Sequence, residues 1–494
     1  MSPLIWTFTA VLVVYITVGS LIAYLSRRHG VKSSRDYFVS SYRLGWFLSS
    51  MTYAATTYSA FMMVGLVGLT YTSGIGALGF ELAYLLVTVV ILAILGPRVW
   101  SMARERGWVS PSEMLSDLYG SKLIGYVITI IYLIAMVPYV SAQVIGAATI
   151  FEGLGLGYEV GVVVVAVLVL AWIALAGMWS VATTDAYQGL WMLSAALLLV
   201  FLLTNRLIPN SGITITQLNE VLGKGGLLGL TDFWSFQTFL AYTMPWLFFA
   251  VTNPQVVVRL YVPKDRASYK RSVLLFSIFG FTYTLAVVYV GLVARGLVEL
   301  GLLESITVPD LVTSKLLSSL EPVLASFIYM SIIAAAVSTA NSIILAVASS
   351  FVRDVIESRG KPDLNTYRIS NVIVAALTLI SSTLAFMKVG FVVDLSVLTS
   401  VLLLPLAPVT IVAWITPHAS RKRPVKVASL LSILAGFAVA ITHASILGPR
   451  RTFLTSYYGV PVSVLVLMVA TAVMLAGFTA LKLREKVLTS DVYA

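Results

Sequence analysis

Apolar residues run along this chain in long stretches, each near the 20 or so residues that a helix needs to cross hydrocarbon, separated by short charged segments. Thirteen such stretches are expected, at about 4–25, 44–70, 77–98, 123–150, 157–178, 181–204, 234–258, 273–295, 322–351, 368–387, 391–416, 427–447 and 460–481. An odd number of spans puts the two ends of the chain on opposite sides of the bilayer. The first stretch lacks a basic flank at its start and is too long for a signal peptide, so it is expected to be a retained span stopped by Arg27 and Arg28.

Two of the thirteen are interrupted. In the second, LGWFLSSMTYAATTYSAFMMVGLVG from Leu44 to Gly68, the hydroxyl residues Thr52, Thr56, Thr57, Tyr58 and Ser59 crowd the midpoint. Unpaired backbone groups cost several kcal/mol in hydrocarbon, so irregular backbone at that depth lines a cavity or is covered by protein. The run predicts a broken helix around Thr56 to Ser59, whose freed carbonyls can coordinate a cation. The same residues also suit a tightly packed helix whose hydroxyls bond back to their own carbonyls. The seventh stretch carries Asn253 and Pro254 inside an apolar run, and proline removes a backbone donor. An ordinary kink is one explanation. Two interrupted spans five apart are also what an inverted repeat of five helices plus five would show, with a binding site between the breaks.

Composition changes the picture little and charge changes it more. Of the 494 residues 59% are hydrophobic and 11% charged, against roughly 25% charged in a soluble domain. There is no cysteine, and the three histidines, His29, His418 and His443, fall at span ends or in loops, which leaves no His-based metal site. A net charge of +11 invites a nucleic-acid reading, but its placement argues for topology. With the first end outside, all but Arg206, Lys224, Arg295, Lys315, Lys388, Arg450 and Arg451 of the 32 basic residues fall on the inner side, Arg259, Arg353, Arg359, Lys361 and Lys486 among them. That asymmetry is the positive-inside rule and needs no polyanion partner.

Polar residues inside the spans are the candidates for chemistry. Asp185, just inside the sixth stretch, is the outstanding one, because an intramembrane carboxylate is costly. It suits cation ligation, proton relay, or pairing with a base at the cytoplasmic rim. Asp394 is similar but nearer the outer surface, and Glu81 and Glu152 fall near outer span ends, where an interfacial position is expected. Ser338, Thr339, Asn341 and Ser342 form a second cluster, with Ser338 and Ser342 four apart on one helix face. Hydroxyls and carbonyls with little formal charge fit a monovalent cation, whereas zinc wants His or Cys and calcium several carboxylates. Helix packing through small residues is the alternative use of the same cluster. Tyr139 after Pro138 and Trp246 after Pro245 are placed to wall a small-solute pocket.

Taken together, RLGWFLSSMTYAATTYSAFMMVGLVG, GMWSVATTDAYQG and AAAVSTANS resemble the sodium/solute symporter family, over about residues 35–430. The resemblance implies an all-α polytopic membrane protein with the leucine-transporter fold, two inverted five-helix repeats with one helix before and two after. It divides the chain into an extra helix and cytoplasmic loop (1–43), a first repeat (44–204), an outer loop (205–233), a second repeat (234–416) and two last helices with a tail (417–494). By position it implies a main sodium site from the carbonyls of Ala55, Tyr58 and Ala335 and the hydroxyls of Ser338 and Thr339. A second sodium site would use Asp185, Asn341 and Ser342, with Asn341 standing where members that hold it have a hydroxyl. VPYVSAQVIGAATIFE is similar to the proline and pantothenate branches, which implies solute contacts at Tyr139, Trp246, Pro254, Thr57, Ser59 and Ala60. Thr57 replaces an Asp of the proline transporters, Ala60 a Gly, and Ala250 an aromatic, so proline specificity does not follow.

The expectation is a sodium-coupled symporter, not an enzyme, in the cell membrane, N-terminus outside and C-terminus cytoplasmic. It would import a small organic solute, such as proline, pantothenate or a monocarboxylate, by alternating access. Sodium ions, the solute and the lipid bilayer are its expected partners, with no nucleic acid. A monomer is expected, since small residues are spread through every span and mark no dimer face. A proton-coupled carrier with Asp185 as the titrating group is the alternative on the same fold. A sensor or membrane enzyme is more remote, because no convergent catalytic set and no signalling domain are visible.

Overall fold

The computed structural model describes residues 3–26, 28, 33–357 and 364–492. Arg27, His29, Arg359 and Lys361 lie outside the described residues. Helices dominate because the long Leu-, Val- and Ile-rich stretches can satisfy their backbone in hydrocarbon only within themselves. In chain order they are α1 (Pro3–Ser26), α2 (Trp46–Thr57), α3 (Phe61–Ser73), α4 (Gly76–Ile94), α5 (Lys122–Gly153), α6 (Tyr158–Ile173) and α7 (Gly177–Asn210). There follow α8 (Phe236–Leu247), α9 (Pro254–Arg259), α10 (Arg266–Glu299), α11 (Pro322–Phe351), α12 (Leu364–Phe386), α13 (Val392–Leu403), α14 (Leu406–Ile415), α15 (Arg423–Leu447) and α16 (Val462–Val492).

Each of the thirteen expected stretches falls on one of these helices or on a broken set of them. Among the described residues nine helices are long and apolar enough to cross a bilayer alone, and two bent pairs raise the number to eleven. The other two stretches are the shorter α6 and the interrupted α8–α9. The chain turns between α6 and α7 at Gly177, where φ is +57° and a Cβ would come within 2.4 Å of the Tyr37 carbonyl, so only glycine fits.

Burial sorts the helices into layers. The span built on α11 is 83% buried, while those of α1, α15 and α16 are 22% buried. The small residues of α11, from Ala334 through Ser342, let its neighbours approach closely, and it packs on α5, α7 and α1 at the centre. Leu86, Ile94 and Leu379, each at least 66% exposed, belong to the lipid-facing surface.

Three spans are broken. α2 ends at Thr57, Tyr58 is extended (φ −89°, ψ 102°), and α3 resumes at Phe61 after a 46° bend. The chain from α8 to α9 is interrupted at Phe248 and again at Asn253, where φ is −85° and ψ 119°. The third break, 53° between α13 and α14, falls at Pro405 and was not expected from the sequence.

The outer connections are ordered onto the bundle. Residues 205–233 contain a helix, Ile215–Lys224, started by a Thr214/Gln217 capping box, and the Leu227 carbonyl accepts from the Ile75 amide at 2.8 Å. In the connection before α11, Asp310 caps α13 by accepting from the Val392 amide at 3.0 Å. On the opposite side Leu44 pairs with the segment after α9, through Leu44 N–H to the Val262 carbonyl (3.0 Å) and Lys264 N–H to the Leu44 carbonyl (2.8 Å). Arg104 fastens this junction by donating to the carbonyls of Tyr42 and Pro263, each at 2.7 Å, and of Lys264.

Candidate functional site

Where α2 breaks, the carbonyls of its last turn lose their helical amides. The Ala55 carbonyl instead accepts from the Ser338 hydroxyl at 2.9 Å and from the Thr339 hydroxyl at 3.2 Å, both on α11. Ser338 also donates to the Ala335 carbonyl at 3.0 Å, and Thr339 reaches the Thr56 carbonyl at 3.4 Å. Ala55, Tyr58, Ala335, Ser338 and Thr339 are all buried. The carbonyls of Ala55, Thr56 and Ala335 and the hydroxyls of Ser338 and Thr339, five neutral oxygens from a helix break and a facing helix, are thereby joined in one buried place. A hydroxyl that donates to a carbonyl keeps its lone pairs, so a small rotation turns both oxygens toward one ion.

The break is itself supported. Gln143 on α5 accepts from the Ala60 amide at 3.1 Å and donates to the Tyr139 carbonyl at 3.2 Å, and the Phe61 amide bonds the Ser59 hydroxyl at 3.1 Å. Gln143 thus satisfies an amide that the broken helix exposes. It was not singled out from the sequence, because a lone Gln in an apolar span has no partner that spacing can reveal. The ring of Tyr58 stacks between Phe276 and Phe279 of α10, each at 5.8 Å, with its hydroxyl against Gly280.

Beside the break lies an aromatic wall. Trp246 stacks on Phe249 at 5.1 Å, tilts over Phe61 at 5.0 Å and meets the edge of Tyr84 at 5.5 Å. Tyr139 meets Phe249 edge-on at 6.4 Å. Thr57 and Trp246 leave the hydroxyl and the indole N–H without a partner among the described residues, and Tyr139 sits near Ser59 without a well-formed hydrogen bond. Ala60 is pressed against Gly146 of α5, and Pro254 starts α9. Phe249 supplies the aromatic that Ala250 lacks, one residue earlier.

Below the break stands Asp185, fully buried rather than at a rim. Its Oδ2 accepts from Thr52 at 2.6 Å and from Thr56 at 3.5 Å, and lies 3.6 Å from Arg259. Ser342 stands in the same cluster, 2.8 Å from the Thr56 hydroxyl. Asn341 is buried beside it, but its Oδ1 has no partner among the described residues.

One further expectation is corrected here. Arg259 is not in an inner loop but 2% exposed, because the double break carries the chain past Pro254 while it is still inside the bundle. Glu81, in the second turn of α4 and so near a span end as expected, is 1% exposed, with Oε2 unpartnered among the described residues. Asp394, in the first turn of α13, is buried as well. Glu152 does sit at the surface, 3.0 Å from Lys388.

The chain is also similar to known proteins. The profile of the Sodium:solute symporter family matches residues 37–415. The sodium/pantothenate symporter of Haemophilus influenzae is 24% identical over 366 residues, 71% of this chain and 72% of its own. The high-affinity proline transporter of Bacillus subtilis is 23% identical over 387 residues, 74% of this chain and 78% of its own. Among solved structures, a substrate-bound, outward-open Na+-coupled sialic acid symporter superposes with a TM-score of 0.76 at 18% identity, over 95% of this chain and 97% of that one. The fold is therefore of the leucine-transporter type, and the chain is a sodium-coupled symporter of the sodium:solute symporter family.

Proposed function

We propose that this symporter takes up a small organic solute, an amino acid such as proline, pantothenate or a monocarboxylate, across the cell membrane. The observation that carries the reading is the single carbonyl of Ala55, which two α11 hydroxyls approach at 2.9 and 3.2 Å across a helix break. Sodium bound among Ala55, Tyr58, Ala335, Ser338 and Thr339 would join α2 to α11 and hold the break in its binding form. The solute would lie beside it, against Tyr139, Trp246, Pro254, Thr57, Ser59 and Ala60. Trp246 and Tyr139 offer flat apolar cover, while the free Trp246 N–H and Thr57 hydroxyl offer polar contacts. With sodium the coupling ion of the family, Asp185 is not needed as a proton carrier.

We place the N-terminus outside and the C-terminus in the cytoplasm. The outer face then carries a cavity of about 380 Å³ lined by Ile145, Thr149, Asp310 and Phe391 among others. The junction of Leu44 with Val262 and Lys264 then closes the cytoplasmic face. Residues 44–204 and 234–416 would form the two inverted repeats, and their rocking would open one face as the other closes. Sodium favours the outward form by the difference in its affinity for the two states.

Thermal stability of the purified protein tests this reading. Melting temperature is compared in sodium and potassium, with proline, pantothenate, short monocarboxylates, sugars and sialic acid added in each salt. A sodium-specific rise, with one solute adding more only in sodium, is expected. Stabilisation by a solute that responds to pH and ignores sodium would overturn it.

A further inference from the structure

The family resemblance implies a second sodium at Asp185, Asn341 and Ser342. The structure puts a cation there that belongs to the chain. The guanidinium of Arg259 donates from Nη2 to the Ser342 hydroxyl at 2.6 Å and lies 3.6 Å from Asp185 Oδ2. Its Nε reaches the Thr52 hydroxyl at 3.3 Å and its Nη1 the Gln255 carbonyl at 3.2 Å. Neither charged side chain has any exposed surface.

A second sodium at this place would compete with the guanidinium for Asp185 Oδ2 and the Ser342 hydroxyl, while Asp185 Oδ1 is unpartnered among the described residues. It would also have to coexist with a positive charge a few ångströms away, or displace it. Displacement has nowhere to go. The cavity touching Arg259, lined by Tyr53, Tyr269, Ser272 and Phe276, holds only about 10 Å³ of free space, no more than about one water. A guanidinium left there would be buried without a counter-charge, the costly outcome for any buried ion.

We propose that Arg259 is a tethered cation that fills the second cation site and sets the coupling ratio at one sodium per solute. In this role it is a positioning residue: it neutralises Asp185 and, through Thr52, Thr56 and Ser342, ties α9 to α2, α7 and α11 directly below the main sodium site. The ratio goes beyond the family assignment, though it rests on the sodium-coupled reading.

The test is the sodium-to-solute ratio, read from the reversal potential of flux in proteoliposomes loaded with the full-length protein. The solute used is the one the thermal-shift panel identifies. The wild type is expected at one, and a value of two overturns the proposal. Absence of any sodium-driven flux would instead refute the sodium-coupled reading. Arg259→Lys, which keeps the charge, is expected to stay at one. Arg259→Gln frees Asp185 and is expected to recruit a second sodium, raising the ratio toward two; a ratio still at one would show that Arg259 does not set it. Where Arg259→Gln alone does not fold, Asp185→Asn with Arg259→Gln removes both charges and is expected to restore folding at a ratio of one. Failure to restore it overturns the pairing.

Discussion

Replacing Ser338 and Thr339 by alanine probes the main sodium site most directly. The two hydroxyls share one acceptor, the Ala55 carbonyl, at 2.9 and 3.2 Å. Two effects follow, and they separate by salt. Without the hydroxyls the buried carbonyl loses its donors, which costs about 1–3 kcal/mol of stability in any salt. Sodium loses two of its five proposed ligands. If each contributes about 1.4 kcal/mol to ion binding, each loss weakens sodium about tenfold. The pair shares a partner, so the two losses are not independent, and the double variant is expected to fall by at least about thirtyfold. The assay is sodium titration of uptake in proteoliposomes, beside melting curves in sodium and potassium. Lower stability in both salts, with the sodium-specific rise gone, is the expected pattern. Half-maximal sodium within about threefold of wild type in the double variant would refute the assignment.

Four further predictions address the elements around that site. Trp246→Ala removes the stacked face against Phe249 and the free indole N–H; the melting shift with solute is expected to vanish while the shift with sodium alone remains, and loss of both would tie Trp246 to the ion instead. Gly280→Ala puts a Cβ within 2.0 Å of the Tyr58 hydroxyl, so the Tyr58 ring must leave its place between Phe276 and Phe279. A loss of about 1–3 kcal/mol in stability is expected, together with weaker sodium binding, and unchanged titration would detach the Tyr58 carbonyl from the ion. Arg104→Ala removes three bonds to carbonyls at the junction of Leu44 with Val262 and Lys264. The chain has no cysteine of its own, so Ser272→Cys gives a clean reporter, and its labelling from the side of that junction is expected to quicken; an unchanged rate would mean the junction is held elsewhere. Asp310, outside the spans, has its carboxyl raised by burial from 3.8 to about 7, against the Val392 amide bond that favours the charged form. A raised folded pKa makes its contribution largest below the unfolded value and lost as pH rises toward about 7. The melting temperature of the wild type relative to Asp310→Asn should therefore fall from about pH 4 to about pH 7, and parallel curves would refute it.

The sequence showed most clearly what depends on runs and breaks. Thirteen apolar stretches were readable because each must satisfy its backbone alone, and the break after Thr57 was readable because Thr56-Thr57-Tyr58-Ser59 cannot face lipid. The bend at Pro405 was missed, although Pro405 and Pro408 sit inside the apolar run, because no polar residue between Val401 and Val409 marks a break there. Long-range pairing was invisible to spacing. Thr52 and Asp185 are 133 residues apart, and nothing in either segment names the other. Their meeting depends on how α2, α7 and α11 pack, which the resemblance to a family could suggest and periodicity could not.

Arg259 shows how a sound rule misplaces one residue. The positive-inside count treats every basic residue past a span as a loop residue, and the seventh stretch seemed to end at Val258. The interruptions at Phe248 and Asn253 turn the chain from a straight helical course, and Arg259, at the end of α9, is still inside the bundle. The feature that marks the binding region therefore also draws the basic residue inward. Burying a guanidinium is tolerable only beside a carboxylate, and Asp185 is the carboxylate it meets. The helix break and the charge pair are thus one construction, in which the carboxylate of Asp185 is the counter-charge for a guanidinium that the interrupted chain leaves buried.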